Sequence, residues 1–79
     1  MTVKGYVLIE TLVGKTKEVV EAIRKLQGVI SVDVVTGPYD AIAVLQVESL
    51  NEIGDLITAK VYTIDGVSRI VTCLTLKSS

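Results

Sequence analysis

Residues 41–52 read Ala-Ile-Ala-Val-Leu-Gln-Val-Glu-Ser-Leu-Asn-Glu (AIAVLQVESLNE). Ala41 to Val47 is a near-continuous apolar run, the pattern of a strand covered on both faces. Just beyond it, Ser49 and Glu52 form an S-x-x-E capping box, in which hydroxyl and carboxylate satisfy free amides at a helix start. A doubly apolar strand feeding a capped helix decides the fold class. Leu50, Ile53, Ile57, Val61 and Ile64 continue the helix as an apolar stripe, and Gly66 is its expected stop. The last turn, Val61-Tyr62-Thr63-Ile64, is rich in β-branched residues, which weakens the helical signal there.

Upstream, Gly37-Pro38-Tyr39-Asp40 is a turn signature. Before it, Val29 to Thr36 alternates, with Ile30, Val32 and Val34 expected on one face and Ser31 and Asp33 on the other. Val19, Ala22, Ile23 and Leu26 are spaced as a helical stripe starting near Lys15, with Gly28 as its expected left-handed stop. Glu18, Glu21, Arg24 and Lys25 line the opposite side, where Glu21 and Lys25 form an expected i, i+4 pair. Val3 to Leu12 opens the chain as a strand, with Val3, Val7 and Ile9 opposing Tyr6, Leu8 and Leu12. Val67 to Leu76 is the last strand, and Lys77-Ser78-Ser79 a polar tail. The halves echo one another, because a Gly-Val pair (Gly28-Val29, Gly66-Val67) follows each helix. The order predicts an α+β, ferredoxin-like βαββαβ domain spanning residues 1–79, with two helices on one face of an antiparallel sheet.

That architecture leaves one sheet face without helices, yet Tyr6 and Leu8 oppose Val7 and Ile9, and Ile42 and Val44 oppose Ala43 and Leu45. Both faces are apolar. The expected outcome is a two-fold dimer packed sheet to sheet as an α/β barrel.

Composition narrows the function classes. A 79-residue chain is one small domain, burying only about 60–65% of its unfolded surface. Hydrophobic residues make up 49% of it and mean hydropathy is +0.57, which excludes disorder. No apolar run approaches the roughly 20 residues a membrane helix needs. Met1 leads straight into the first strand, so no signal peptide is expected. Eight Lys and Arg against nine Asp and Glu give a net charge of −1, ill suited to neutralising nucleic-acid phosphates. The basic cluster Lys15, Lys17, Arg24 and Lys25 reads as a solvated helix face. One cysteine forbids an internal disulfide and fits a reducing cytoplasm. With no histidine, serine triads, Cys–His pairs and ordinary zinc sites are excluded, and neither a metal nor a cofactor is expected.

The Gly37-Pro38-Tyr39-Asp40 turn, the apolar strand, the capped helix and the Gly66-Val67-x-Arg69-x-x-Thr72 strand together resemble the effector-binding (RAM) domain of the Lrp/AsnC feast/famine regulators. That family's pattern is a G-x-[YF]-D turn, an apolar strand, a helix with a P-G-V-like stop and a strand beginning near R-T-x-T. Asp65 stands in place of the family proline, and Ile70 replaces the first hydroxyl of R-T-x-T, which implies a shift toward an apolar effector side chain. Starting at the first strand, the chain looks like a stand-alone effector domain without the family's helix-turn-helix. The resemblance implies a dimer through the sheets, assembly toward an octamer, and an amino acid bound where dimers meet. It further implies modulation of full-length Lrp/AsnC regulators without direct nucleic-acid or membrane contact.

The residues are compatible with that chemistry. Amides around Gly37, Pro38, Tyr39 and Asp40 suit a carboxylate, because glycine lets a ligand approach the backbone. The carboxylate of Asp40 or Asp55 suits an ammonium group. Thr72 offers a hydroxyl, and Ile70 an apolar contact. Plain structural roles stand beside these: Gly37-Pro38 as a turn, Tyr39 as an anchor, Asp40 as a cap of local amides, Thr72 as a strand former and Asp55 as solvated helix surface. Arg69 reads as a surface or interface ion pair, Cys73 as core, and Tyr6 and Tyr62 as packing. Two other classes share the element order. One is a small dimeric α+β-barrel enzyme of isomerase or monooxygenase type, which would need polar inward positions where aliphatic ones stand. The other is an ACT-like regulatory domain, whose sheets lie side by side.

Overall fold

The computed structural model describes residues 2–76, so the expected polar tail lies outside the described residues. The elements are β1 (Val3–Thr11), α1 (Thr16–Arg24), β2 (Val29–Val34), β3 (Ala41–Val47), α2 (Leu50–Asp55), which continues as a π-helical segment (Leu56–Val61), and β4 (Val67–Leu74). The sheet runs β2-β3-β1-β4 with every neighbouring pair antiparallel. This is the ferredoxin-like βαββαβ arrangement.

One apolar core lies between the sheet and the helices. Val7 and Ile9 of β1, Ala41, Ala43 and Leu45 of β3, and Val32 of β2 meet Val19, Val20 and Ile23 of α1 and Ile53, Leu56, Ile57 and Val61 of the second helix. Alanine at two β3 positions leaves room for helices close above the sheet.

The second helix starts at the expected Ser49 cap, with Glu52 reaching back one residue beyond it. The Glu52 amide donates to Ser49 Oγ at 3.3 Å, and the Glu48 amide donates to Glu52 Oε2 at 2.9 Å. Buried Ile53, Ile57 and Val61 recur every four residues, a spacing that drifts by about 40° per step in a regular α-helix. The wider π turn cancels that drift, marked by the Tyr62 amide donating to the Ile57 carbonyl at 2.9 Å. The helical segment stops at Val61, short of Ile64, and Leu50 lies outside the core at 59% exposure.

The first helix also ends early, at Arg24 rather than beside Gly28. A turn over residues 25–28 follows, and Gly28 (φ +99°) begins the descent into β2. The Gly-Val echo is visible atom by atom. The Gly28 carbonyl accepts from the Gln46 amide and the Gly66 carbonyl from the Leu12 amide, both at 2.8 Å. The expected Glu21–Lys25 pair is replaced by Arg24, which donates to Glu21 Oε2 at 2.8 Å and to the Val32 carbonyl at 2.9 Å.

Other local expectations change as well. A register shift between Val29 and Ser31 turns Ile30 out of the core, so only Val32 of the expected trio is buried. Val34 lies on edge strand β2, past the helical cover, and is 60% exposed. Leu12 falls beyond β1, and β4 stops at Leu74.

The helix-free face carries Lys4, Tyr6, Leu8 and Glu10 of β1, Ile42, Val44 and Gln46 of β3, Ser31 and Asp33 of β2, and Arg69, Val71 and Cys73 of β4. Cys73 and Tyr6 lie here and are exposed rather than packed, because no helix crosses this side. Tyr62 is likewise exposed, just past the π segment. Arg69 forms no ion pair among the described residues.

Candidate functional site

The Gly37–Asp40 turn closes the end of the sheet where β1 finishes and β4 begins. Gly37 adopts φ +134° with open space around its Cβ position. Pro38 is exposed, and Tyr39 and Asp40 are half-buried. Asp40 is tied in three ways: its amide donates to the Ile9 carbonyl at 2.9 Å, its carbonyl accepts from the Val35 amide at 3.0 Å, and Oδ2 accepts from the Thr11 amide at 2.8 Å. The partner amide lies 29 residues away, so this carboxylate caps the irregular end of β1 rather than its own turn. Oδ1 makes no hydrogen bond among the described residues. Next to this corner the Thr11 and Thr16 hydroxyls pair at 2.7 Å, linking β1 to the start of α1.

Ile70 lies opposite Ile9 and Thr72 opposite Val7, so both share the sheet face that bears the core. Ile70 packs partly against that core, whereas Thr72 is exposed, because edge strand β4 runs past the helices. Asp55 is elsewhere. It is exposed near the junction of α2 and the π segment and borders a groove of about 530 Å³. Gly28 and Val47 form the sheet-side wall of this groove, and Glu52, Asp55, Leu56 and Lys60 the helix side. β3 starts beside Asp40 and ends at the groove, and its seven residues, at about 3.4 Å each, put about 24 Å between them. One protomer therefore unites the turn with the head of β4 but not with Asp55.

The groove escaped the sequence reading apart from Asp55. Its signal lay in Glu48, Glu52 and Asp55, three carboxylates placed close together around a helix start. A second groove, of about 360 Å³, separates Val20 and Arg24 of α1 from Val34 of β2. Every buried residue described is apolar, so polar recognition falls to surface groups and exposed amides. No helix among the described residues is long and apolar enough to cross a membrane.

Known structures share this architecture. TTHA0845 of Thermus thermophilus is 31% identical over 98% of this chain and 96% of its own, with a TM-score of 0.93. The hypothetical protein PHS023 of Pyrococcus horikoshii is 26% identical over 99% of this chain and 93% of its own, with a TM-score of 0.89. At 17% identity, the Neisseria meningitidis transcriptional regulator NMB0573, solved as an L-Met complex, shares the fold over 95% of this chain and 50% of its own, with a TM-score of 0.85. No curated protein matches the sequence. The model of the Lrp/AsnC ligand binding domain matches residues 4–79, which is every element from β1 onward. The chain belongs to that family.

Proposed function

We propose that this domain is an effector module that binds an amino acid, assembles through its helix-free sheet face, and tunes Lrp/AsnC transcription regulators without contacting DNA itself. The observation that carries this is the family match over residues 4–79, and the L-Met complex of the fold relative from Neisseria meningitidis suggests the ligand class. The −1 net charge disfavours direct nucleic-acid binding, and a single cysteine suits the cytoplasm.

The assigned contacts are the Gly37 and Tyr39 amides for the effector carboxylate, Asp40 Oδ1 or Asp55 for its ammonium group, Thr72 for a neutral hydrogen bond and Ile70 for the side chain. The distance between the turn and Asp55 argues for a site completed by a neighbouring protomer, consistent with dimers assembling toward an octamer. The helix-free face supports the dimer, since Tyr6, Leu8, Ile42, Val44, Val71 and Cys73 form a continuous patch there that monomers rarely leave open to water.

Titration calorimetry of the full chain against the twenty amino acids, with sedimentation at each end point, tests the proposal. The expected result is heat with one apolar amino acid and a change in assembly mass. Absence of heat with all twenty overturns the amino-acid assignment.

A further inference from the structure

β2 is an outer strand of the sheet, so one side of its backbone has no neighbouring strand. Such an edge is a template for a further strand. Its outward groups follow from the ladder. The Val35 amide donates to the Asp40 carbonyl at 3.0 Å, and inward and outward residues alternate in an antiparallel pair. Val35, Asp33 and Ser31 therefore turn their backbone groups toward β3, and Val34 and Val32 turn theirs away from the sheet. The register shift between Val29 and Ser31 disturbs only one end, leaving Ser31 to Val34 regular. Ile30 and Val34, 56% and 60% exposed, add apolar side chains along the edge. The strand has neither proline nor lysine to blunt it, and a net charge of −1 gives little repulsion between copies.

One side chain closes this edge. Arg24, at the end of α1, donates from Nη2 to the Val32 carbonyl at 2.9 Å and from Nη1 to Glu21 Oε2 at 2.8 Å. That carbonyl is an acceptor an added strand would need, in the middle of the regular run. The planar fork of the guanidinium serves both partners at once, and Glu21, three residues back, fixes its direction. A strand pairing with β2 would have to displace this charge-assisted bond, beside a groove lined by Val20 and Val34. The Glu21–Arg24 pair is half-exposed and adds little stability by itself. Its importance lies in where it holds the guanidinium.

We infer that Arg24 is a strap that keeps the β2 edge shut against β2 of a second copy. It occupies the Val32 carbonyl and sets a charge where the pairing strand would lie. This role depends neither on effector binding nor on the helix-free face.

Arg24→Met tests the strap, since it keeps a long stem and a good helix former while removing the guanidinium. Sedimentation over a concentration series should show species larger than those of the wild type. Amide exchange followed by NMR should show the Val34 amide slowed at least about tenfold in those species. Adding Val34→Lys, which charges the edge without restoring the bond to Val32, should return the wild-type mass. A folded Arg24→Met chain with the wild-type mass at every concentration overturns the inference. So does a larger species whose Val34 amide exchanges as in the wild type, or one that persists with Val34→Lys. The wild type supplies a test that survives misfolding of the variant: a Val34 amide as slow as those of central strand β3 would mean an edge paired despite Arg24, and overturns the strap.

Discussion

Gly66 shows how little room the two halves leave where they meet. Its φ is +101°, and a Cβ there would lie 2.7 Å from Lys15 Cβ and 2.9 Å from Val19 Cγ2. Gly66→Ala combines left-handed strain with overpacking against α1, so it should cost at least about 2 kcal/mol in urea unfolding at fixed protein concentration. Gly54 is the converse. It lies within α2, and a Cβ there meets nothing within 4 Å, so Gly54→Ala should stabilise by about 0.5–1 kcal/mol through backbone entropy. Asp40 is a third case. Asp40→Ala strands the half-buried Thr11 amide and should cost about 1–2 kcal/mol, whereas Asp40→Asn keeps an acceptor and should cost less. If the two variants lower the urea midpoint equally, the carboxylate has no capping role. The turn was legible as a turn from Gly37-Pro38. The bond from Asp40 to Thr11 was not, because it joins residues 29 apart.

At the scale of elements, local rules hold at helix starts and weaken at helix ends. The box at Ser49 and Glu52 uses hydrogen bonds within a few residues; its Ser49 half forms as read, while Glu52 reaches the Glu48 amide one residue before the cap. Its Ser49→Ala variant should lose about 0.5–1 kcal/mol, the cost of an exposed cap, and an unchanged midpoint would show that Glu52 alone secures the start. Helix ends depend on what the next segment must reach. After Arg24 the chain turns through Gly28 to align Val29 with Leu45, and after Val61 it turns through Gly66 to bring Val67 beside Thr11. The π segment has the same origin. Burying Ile53, Ile57 and Val61 against one sheet outweighs regular α geometry, an energy that no residue of the segment reveals alone.

For the whole molecule, the decisive feature is the lopsided sheet. Leu8 sits near the middle of the helix-free patch, half-buried by its neighbours. Leu8→Glu should give a folded monomer by sedimentation and circular dichroism, since a carboxylate in the apolar dimer interface proposed above would have no partner. A Leu8→Glu chain that still sediments as a dimer would place the interface elsewhere. Effector binding belongs to this scale too. The turn and the groove bearing Asp55 occupy opposite ends of β3, so one protomer does not bring the candidate residues together. Ile70, the contact proposed for the effector side chain, packs partly against the core.

The sequence by itself determined the order of elements, both helix starts and the apolar character of each sheet face, since all follow from spacing, capping and hydropathy within a few residues. Only the tertiary structure decided where helices end, which valines and isoleucines of β2 are buried, that Cys73 and Tyr6 lie on the open face, and that Asp55 sits far from the turn. Those outcomes depend on strand register and on which strands the helices reach, contacts between residues distant in the chain. No local pattern encodes them.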